Sequence, residues 1–198
     1  MHKLKEERTV VIIKPDGVKR GLTGEIIRRI EQRGLKIIAL GMIWPSREQM
    51  DIHYPKDETW ITGLGKNTER SYKEYNIPTT LKEDYGTEDL YEIGKMVREW
   101  LVEFMTSGPL VKMVVSGLHA IPMVRKIVGP TIPSLAEMGT IRGDFSVDSP
   151  ALANIQKRSV HNLVHASGSV EEAENEIKVW FSPEEIHDYK RAEEDIMF

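Results

Sequence analysis

Arg8-Thr-Val-Val-Ile-Ile-Lys14, stopped by Pro15-Asp-Gly17 and followed by Thr23-Gly-Glu-Ile-Ile-Arg-Arg-Ile30, decides the fold. The first run is short, β-branched and bounded by a turn, which predicts a buried strand whose C-terminal end is Lys14. The second places Ile26, Ile27 and Ile30 on one helical face, with Gly34 as the stop. Leu35 to Ile43 is a second apolar strand. It closes at Trp44-Pro45-Ser46, where Ser46 can cap a helix from Arg47 to Tyr54 with Glu48 in its first turn. Helical spacing returns from Leu90 to Met105, a strand is expected at Leu110 to Ser116, and a helix at Ile121 to Val128 ends at Gly129. After a loop to Gly143, Val160 to Ala166 alternates like a strand. Ser169 then opens a helix through a Ser-x-x-Glu box to Glu172, and Pro183 to Phe198 reads as helix followed by an arm. The order is βαββαβ, an α+β, ferredoxin-like antiparallel sheet with helices on one face.

Two stretches interrupt that order. From about Pro55 to Ile93 polar residues mix with Gly63, Gly65, Pro78, Thr79 and Gly86, no long period emerges, and the segment reads as an insertion. A second, smaller irregular insertion covers about 149–158. At 198 residues the chain is expected to be a single domain carrying both. The first insertion holds Trp60, Tyr72, Tyr75, Tyr85 and Tyr91, too many aromatics for a solvated linker, so it should dock on the parent domain beside the site or on a neighbouring subunit.

Composition narrows the function. Hydrophobic residues at 40% and charged residues at 29% describe a globular protein, and a formal net charge of -4 makes nucleic acid or anionic membrane an unlikely main partner. The absence of cysteine excludes disulfides, thiolate nucleophiles and zinc–cysteine sites. The N-terminal stretch from Met1 to Arg8 is charged, and the apolar run after it is too short for a signal core or a membrane span. Cytoplasmic residence is the resulting expectation.

Chemistry gathers at His165, near a strand end and just before a helix start, in Asn162-Leu-Val-His-Ala-Ser-Gly-Ser169. Imidazole attacks phosphorus well and a helix N-terminus favours anions beside it. A lone histidine is more often structural. Here Glu176 lies downstream where it can hold one ring nitrogen, and Ser167 can bridge the two. Phosphoryl transfer also needs cations around the equatorial oxygens, and Lys14, Arg125 and Arg142 are placed at strand ends and loop borders. Each alone is most simply a solvated charge; together they form a pattern.

Ile13-Lys-Pro-Asp-Gly-Val18, Gly139-Thr-Ile-Arg-Gly-Asp-Phe145 and Asn162-x-x-His-x-Ser167 together resemble nucleoside diphosphate kinases, in a form with insertions similar to archaeal members. Gly24-Glu-Ile-Ile-Arg-Arg29, Ser107-Gly-Pro109 and Trp180-Phe181 fall in the same order. The resemblance implies a ping-pong transfer of the γ-phosphate of a nucleoside triphosphate to a nucleoside diphosphate through phosphorylated His165. It implies that Glu176 and Ser167 orient that residue and that Lys14, Tyr54 and Arg142 contact the transferring phosphate. Arg125 and Thr131 would hold the inner phosphates, and Asn162 with Lys14 would meet the ribose hydroxyl. Magnesium would arrive bound through nucleotide phosphates, with no protein metal ligand, and a homo-oligomer, a hexamer built from dimers, is expected. The family stacks the base on a Phe, whereas His53-Tyr54-Pro-Lys-Asp-Glu-Thr-Trp60 runs into the insertion and offers Trp60 instead. It also has Asp where Gly168 stands.

Other readings weigh less. Gly63-Leu-Gly-Lys-Asn-Thr68 lacks the spacing and the Ser or Thr of a phosphate loop. His161 and His165, four apart on the expected strand, would point the same way as a metal pair, but no third ligand follows. Arg142-Gly-Asp144 is best read as a loop turn rather than an adhesion tripeptide. A catalytically silent relative that only binds nucleotide or nucleic acid should have lost the nucleophile or one cation, and all four are present.

Overall fold

The computed structural model of the chain describes residues 6–192 and 194–197, so the charged stretch before Glu6 and the tail positions 193 and 198 lie outside the described residues. The elements run β1 (Glu7–Ile13), α1 (Pro15–Lys19), α2 (Thr23–Gln32), β2 (Lys36–Ile43), α3 (Arg47–His53), α4 (Glu58–Glu74), α5 (Leu81–Tyr85), α6 (Leu90–Thr106) and β3 (Leu110–Gly117). They continue with α7 (Ala120–Val128), α8 (Ile141–Phe145), α9 (Pro150–Ile155), β4 (Val164–Ala166), α10 (Val170–Trp180) and α11 (Glu194–Met197), with single 3-10 turns at Pro133–Leu135 and Pro183–Glu185. Among the described residues no helix is long and apolar enough to cross a membrane.

The sheet has four antiparallel strands in the order β2-β3-β1-β4. Alternate side chains of β1 serve two cores. Val11 and Ile13 meet Ile26 and Ile30 of α2 and Val124 and Val128 of α7, so the two crossover helices share one face, as the βαββαβ layout requires. Val10 and Ile12 point the other way, to Met50 of α3, Val102 and Met105 of α6, and Ile177 and Trp180 of α10. Helices therefore cover both faces rather than one, because α3, α6 and α10 bury the second set of strand side chains.

Caps fall where the sequence places them. Ser46 accepts the Gln49 N–H to start α3, and Ser169 accepts the Glu172 N–H to start α10. The return arm of the second box is shifted: the Glu172 carboxylate takes the N–H of Gly168, not of Ser169.

The first insertion departs most from the sequence reading. It is mainly helical, holding α4 and α5, and α4, 17 residues long, packs along α6, the expected helix of the same length that follows it. The contact is close enough that a Cβ on Gly65 would lie 1.9 Å from the Leu90 carbonyl oxygen, and one on Gly94 1.9 Å from that of Ile61. Glycines that obscure a helical period in the sequence are thus what lets two helix backbones approach. Tyr72, Tyr85 and Ile93 form a small core beneath α5. The second insertion folds as α9, and its Asn154 Oδ1 accepts the Tyr85 hydroxyl at 3.0 Å in a buried bond. The Tyr75 hydroxyl reaches Ser134 Oγ at 3.2 Å. The two insertions dock on each other and on the parent fold.

Candidate active site

β1 and β4 pair with Ile12 opposite His165 and Ile13 opposite Val164. Opposed residues share a face, so His165 follows Ile12 toward the α3–α10 side of the sheet. The Glu176 carboxylate, on α10, brings Oε1 to 2.7 Å from His165 Nε2, off the axis of a straight N–H···O bond. Its Oε2 accepts the Ser167 hydroxyl at 2.6 Å, and Ser167 Oγ in turn accepts the Val10 N–H at 3.1 Å. Burial alone would raise the Glu176 carboxyl, but the hydrogen bond and charge of His165, then Ser167 and His53, hold it below its ordinary value. An anion fixed at Nε2 leaves Nδ1 as the nitrogen available for attack.

His165 borders a cavity of about 110 Å³ that it shares with Lys14, Arg125, Thr131, Arg142 and Asn162. Six residues from four stretches of sequence thus meet at one point. Asn162 is the junction: its Oδ1 accepts Lys14 Nζ at 2.7 Å, its Nδ2 donates to the Thr131 carbonyl at 2.9 Å, and its own carbonyl accepts Arg142 Nε at 3.1 Å. Arg142 is only 7% exposed and donates also to the carbonyls of Gly129 and Val164. Three of its five N–H groups bind protein, which leaves two for a ligand. Burial, then the nearby Arg125, pulls its guanidinium down to about 10, so it stays charged. Burial, then Arg142, pulls the Lys14 ammonium down to about 8. Arg125 is exposed at the mouth, and an added Cβ on Gly168 would lie 3.5 Å from its Nη1. That is ordinary van der Waals contact; the tighter approach would be to Glu172 Oε2, at 2.9 Å.

The backbone between Asn162 and His165 is held tightly. Leu163 adopts φ 67°, uncommon for a side-chain-bearing residue. Its N–H donates to Asp16 Oδ2 at 3.1 Å and its carbonyl accepts the Lys14 N–H at 2.8 Å. Asp16, read from sequence only as a turn former, is therefore a support of the site.

Tyr54 and Trp60 stand elsewhere. Tyr54 is 9% exposed, packed between the rings of His53 at 4.7 Å and Trp60 at 5.9 Å, and it does not line the cavity. Burial, then Glu176, pushes its hydroxyl above the usual phenol range. Trp60 is half-buried and lines a separate groove with His53 and Glu176.

His53 is the residue that sequence reasoning missed. Its ring stands edge-on to His165 at 4.9 Å, and its Nδ1 accepts the Trp180 indole N–H at 3.3 Å. Burial, then His165, pulls it down to about 3, so it is neutral. His53, His165 and Glu176 offer three donor atoms within 4.8 Å of one another, near enough for a metal ion. Both carboxylate oxygens already serve His165 and Ser167, however, and Lys14 and Arg142 add positive charge nearby, so the cluster is better matched to holding a nucleophile. The suspected His161–His165 pair does not form: β4 begins only at Val164, and His161 stacks on Phe104 at 4.7 Å.

The nucleoside diphosphate kinase family model matches residues 7–60 and 73–186, leaving part of α4 unmatched. The nucleoside diphosphate kinase of Pyrobaculum aerophilum is 50% identical over 180 residues, covering 91% of this chain and 97% of that protein. The crystal structure of an NDP kinase from that organism superposes with a TM-score of 0.88 at 47% identity, over 93% of this chain and all of the other. A nucleoside-diphosphate kinase from Borrelia burgdorferi, solved as a transition-state mimic with vanadate and ADP bound, has a TM-score of 0.76 at 33% identity, over 97% and 96% of the two chains. By sequence and by fold, the chain belongs to the nucleoside diphosphate kinase family and has its phosphotransferase activity.

Proposed function

We propose that the transfer runs through a phosphorylated His165, with the γ-phosphate of a bound nucleoside triphosphate seated in the cavity beside it. The observation that carries this reading is a single ring whose Nε2 lies against Glu176 and which lines a cavity ringed by Lys14, Arg125 and Arg142. In the first half-reaction Nδ1 forms a bond to the γ-phosphorus, the bond from phosphorus to the bridging oxygen breaks, and the nucleoside diphosphate leaves. Glu176 accepts the Nε2 proton in a hydrogen bond and stabilises the positive ring as it forms, while Ser167 keeps the carboxylate turned toward it. Lys14 and the two free N–H groups of Arg142 meet the equatorial oxygens, and Arg125 with Thr131 holds the inner phosphates. A second nucleoside diphosphate then takes the phosphate by the reverse path.

The cavity wall carries cations and an amide but no carboxylate, which suits magnesium that comes bound to the nucleotide phosphates rather than to the protein. There it would neutralise phosphate charge. Asn162, with Lys14, is assigned to the ribose hydroxyl; Trp60, which lines the separate groove, stacks on the base only if the start of α4 shifts toward the cavity. Tyr54 acts on the phosphate only if it turns out of its buried position. We infer a homo-oligomer, with a hexamer favoured, residing in the cytoplasm.

Incubation with radiolabelled ATP should leave an acid-labile, alkali-stable phosphate on the enzyme that a GDP chase removes. His165→Ala should abolish both labelling and nucleotide exchange. Persistence of either assigns the phosphate to another residue.

A further inference from the structure

The segment that returns the chain from α8 to Asn162 carries a clamp outside the cavity. Asp148 and Arg158 flank the second insertion and pair at 2.6 Å and 3.0 Å through two guanidinium nitrogens, with the Asp148 side chain 9% exposed. The same carboxylate accepts the backbone N–H of His161 at 2.7 Å, and Ser146 Oγ donates to the His161 carbonyl at 2.9 Å. The His161 ring stacks on Phe104 of α6. A residue in loop conformation is thus fixed at its N–H, its carbonyl and its ring. The next residue is Asn162.

We propose that Asp148 is a positioning residue for the sugar side of the nucleotide site, setting where Asn162 meets the ribose hydroxyl by holding His161. The inference rests on the assignment of Asn162 to the ribose given above. β4 cannot fix Asn162, because the strand starts at Val164 and Leu163 turns away with a left-handed backbone. On its C-terminal side Asn162 is held through Leu163, by Asp16 and the Lys14 N–H, and its own side chain and carbonyl bond Lys14, Thr131 and Arg142, groups that must also respond to a ligand; on its N-terminal side the hold is the clamp on His161. The clamp anchors Asn162 through residues that do not line the cavity. The insertions stiffen that anchor: α9, between Asp148 and Arg158, is tied through Asn154 to Tyr85, and Phe104 belongs to the helix on which α4 packs. A 3′-deoxy acceptor lacks the hydroxyl that Asn162 and Lys14 would bind, so the change in discrimination between the two acceptors on mutating Asp148 reports on this position.

The test compares GDP and 3′-deoxy-GDP as acceptors for the phosphorylated enzyme, in wild type, Asp148→Ala and Asp148→Asn. Asp148→Ala should lose roughly five- to tenfold in kcat/KM with GDP, about the worth of one hydrogen bond, and less than about twofold with 3′-deoxy-GDP. The loss should lie in KM. Asp148→Asn keeps an acceptor for the His161 N–H and should recover much of the discrimination. Equal losses with both acceptors, or none, overturn the proposal, and thermal unfolding of each variant separates it from simple loss of fold. His165 labelling by ATP is read in the same samples. If labelling is present but wild type itself does not distinguish the two acceptors, the ribose assignment fails; if labelling is absent in wild type, the His165 reading fails.

Discussion

Lys14 shows at one residue how the fold and the reaction pull in opposite directions. Its ammonium is 6% exposed and beside Arg142, and both facts favour the neutral form, which brings it down to about 8. Below that pH it is charged and able to meet a phosphate. Free-enzyme kcat/KM should therefore fall as pH rises through about 8, set by Lys14. Bound polyphosphate favours the ammonium, so the corresponding limb in kcat should lie at higher pH. Stability has the other sign. Between about 8 and the ordinary 10.5 the unfolded chain holds more protons on this group, so its contribution to stability rises with pH while activity falls. Profiles of kcat/KM, kcat and thermal midpoint in the same buffers check all three. Lys14→Arg keeps its charge and should remove the limb from whatever activity remains; a limb unchanged in that variant belongs to another group.

At the scale of elements, what the sequence makes legible follows from how local the controlling interaction is. The β-branched run before Lys14, the isoleucines of α2 and the serine caps of α3 and α10 all act within a few residues, and they fold as read. Lys14, Arg142 and His165 could be singled out for the same reason, each beside a turn or strand end, whereas Asn162 came from the family resemblance; the structure brings all four to one cavity. Three features were not legible. Pro15-Asp-Gly17 reads as a turn but starts α1, with proline at its first position. The expected strand from Val160 shortens to Val164 because Asp148, 13 residues earlier, takes the His161 N–H. Gly65 looks like a helix breaker until α6 is in place. That reversal is testable within one helix. Gly94→Ala or Gly65→Ala must drive a methyl into a carbonyl oxygen of the facing helix and should cost about 1–3 kcal/mol or more, lowering the thermal midpoint by several degrees. Gly63→Ala meets nothing within 4 Å and should be neutral or stabilising by up to about 1 kcal/mol. Similar midpoints for Gly63→Ala and Gly65→Ala would mean that α4 does not press on α6 as described.

On the scale of the whole molecule, the outer edge of the sheet is half covered. The C-terminal arm lies along the start of β2, with the His187 N–H donating to the Ile38 carbonyl and the Tyr189 hydroxyl to that of Ile37, both at 2.8 Å. Lys36 Nζ returns a bond to the Tyr189 carbonyl at 2.7 Å. Past Ile38 the cover ends. Leu40 and Met42 on β2, and Trp44 just past its end, follow at alternate positions, 55%, 61% and 68% exposed, at the end of the order β2-β3-β1-β4. A bare apolar edge invites pairing, and lone proteins blunt such edges with charge, proline or a covering segment. Among the described residues the arm covers the start of β2 and not its second half. A second copy presenting the same half-strand would complete it as a two-fold pair. The native chain should therefore run as a homo-oligomer at micromolar concentration in light scattering, and Leu40→Glu with Met42→Glu should shift it to smaller species with a concentration-dependent thermal midpoint. His165 labelling by ATP should persist in those species, because the cavity lies on β1 and β4 at the other side of the sheet. A monomeric wild type, or a double variant of unchanged size, would place the assembly contact elsewhere or remove it.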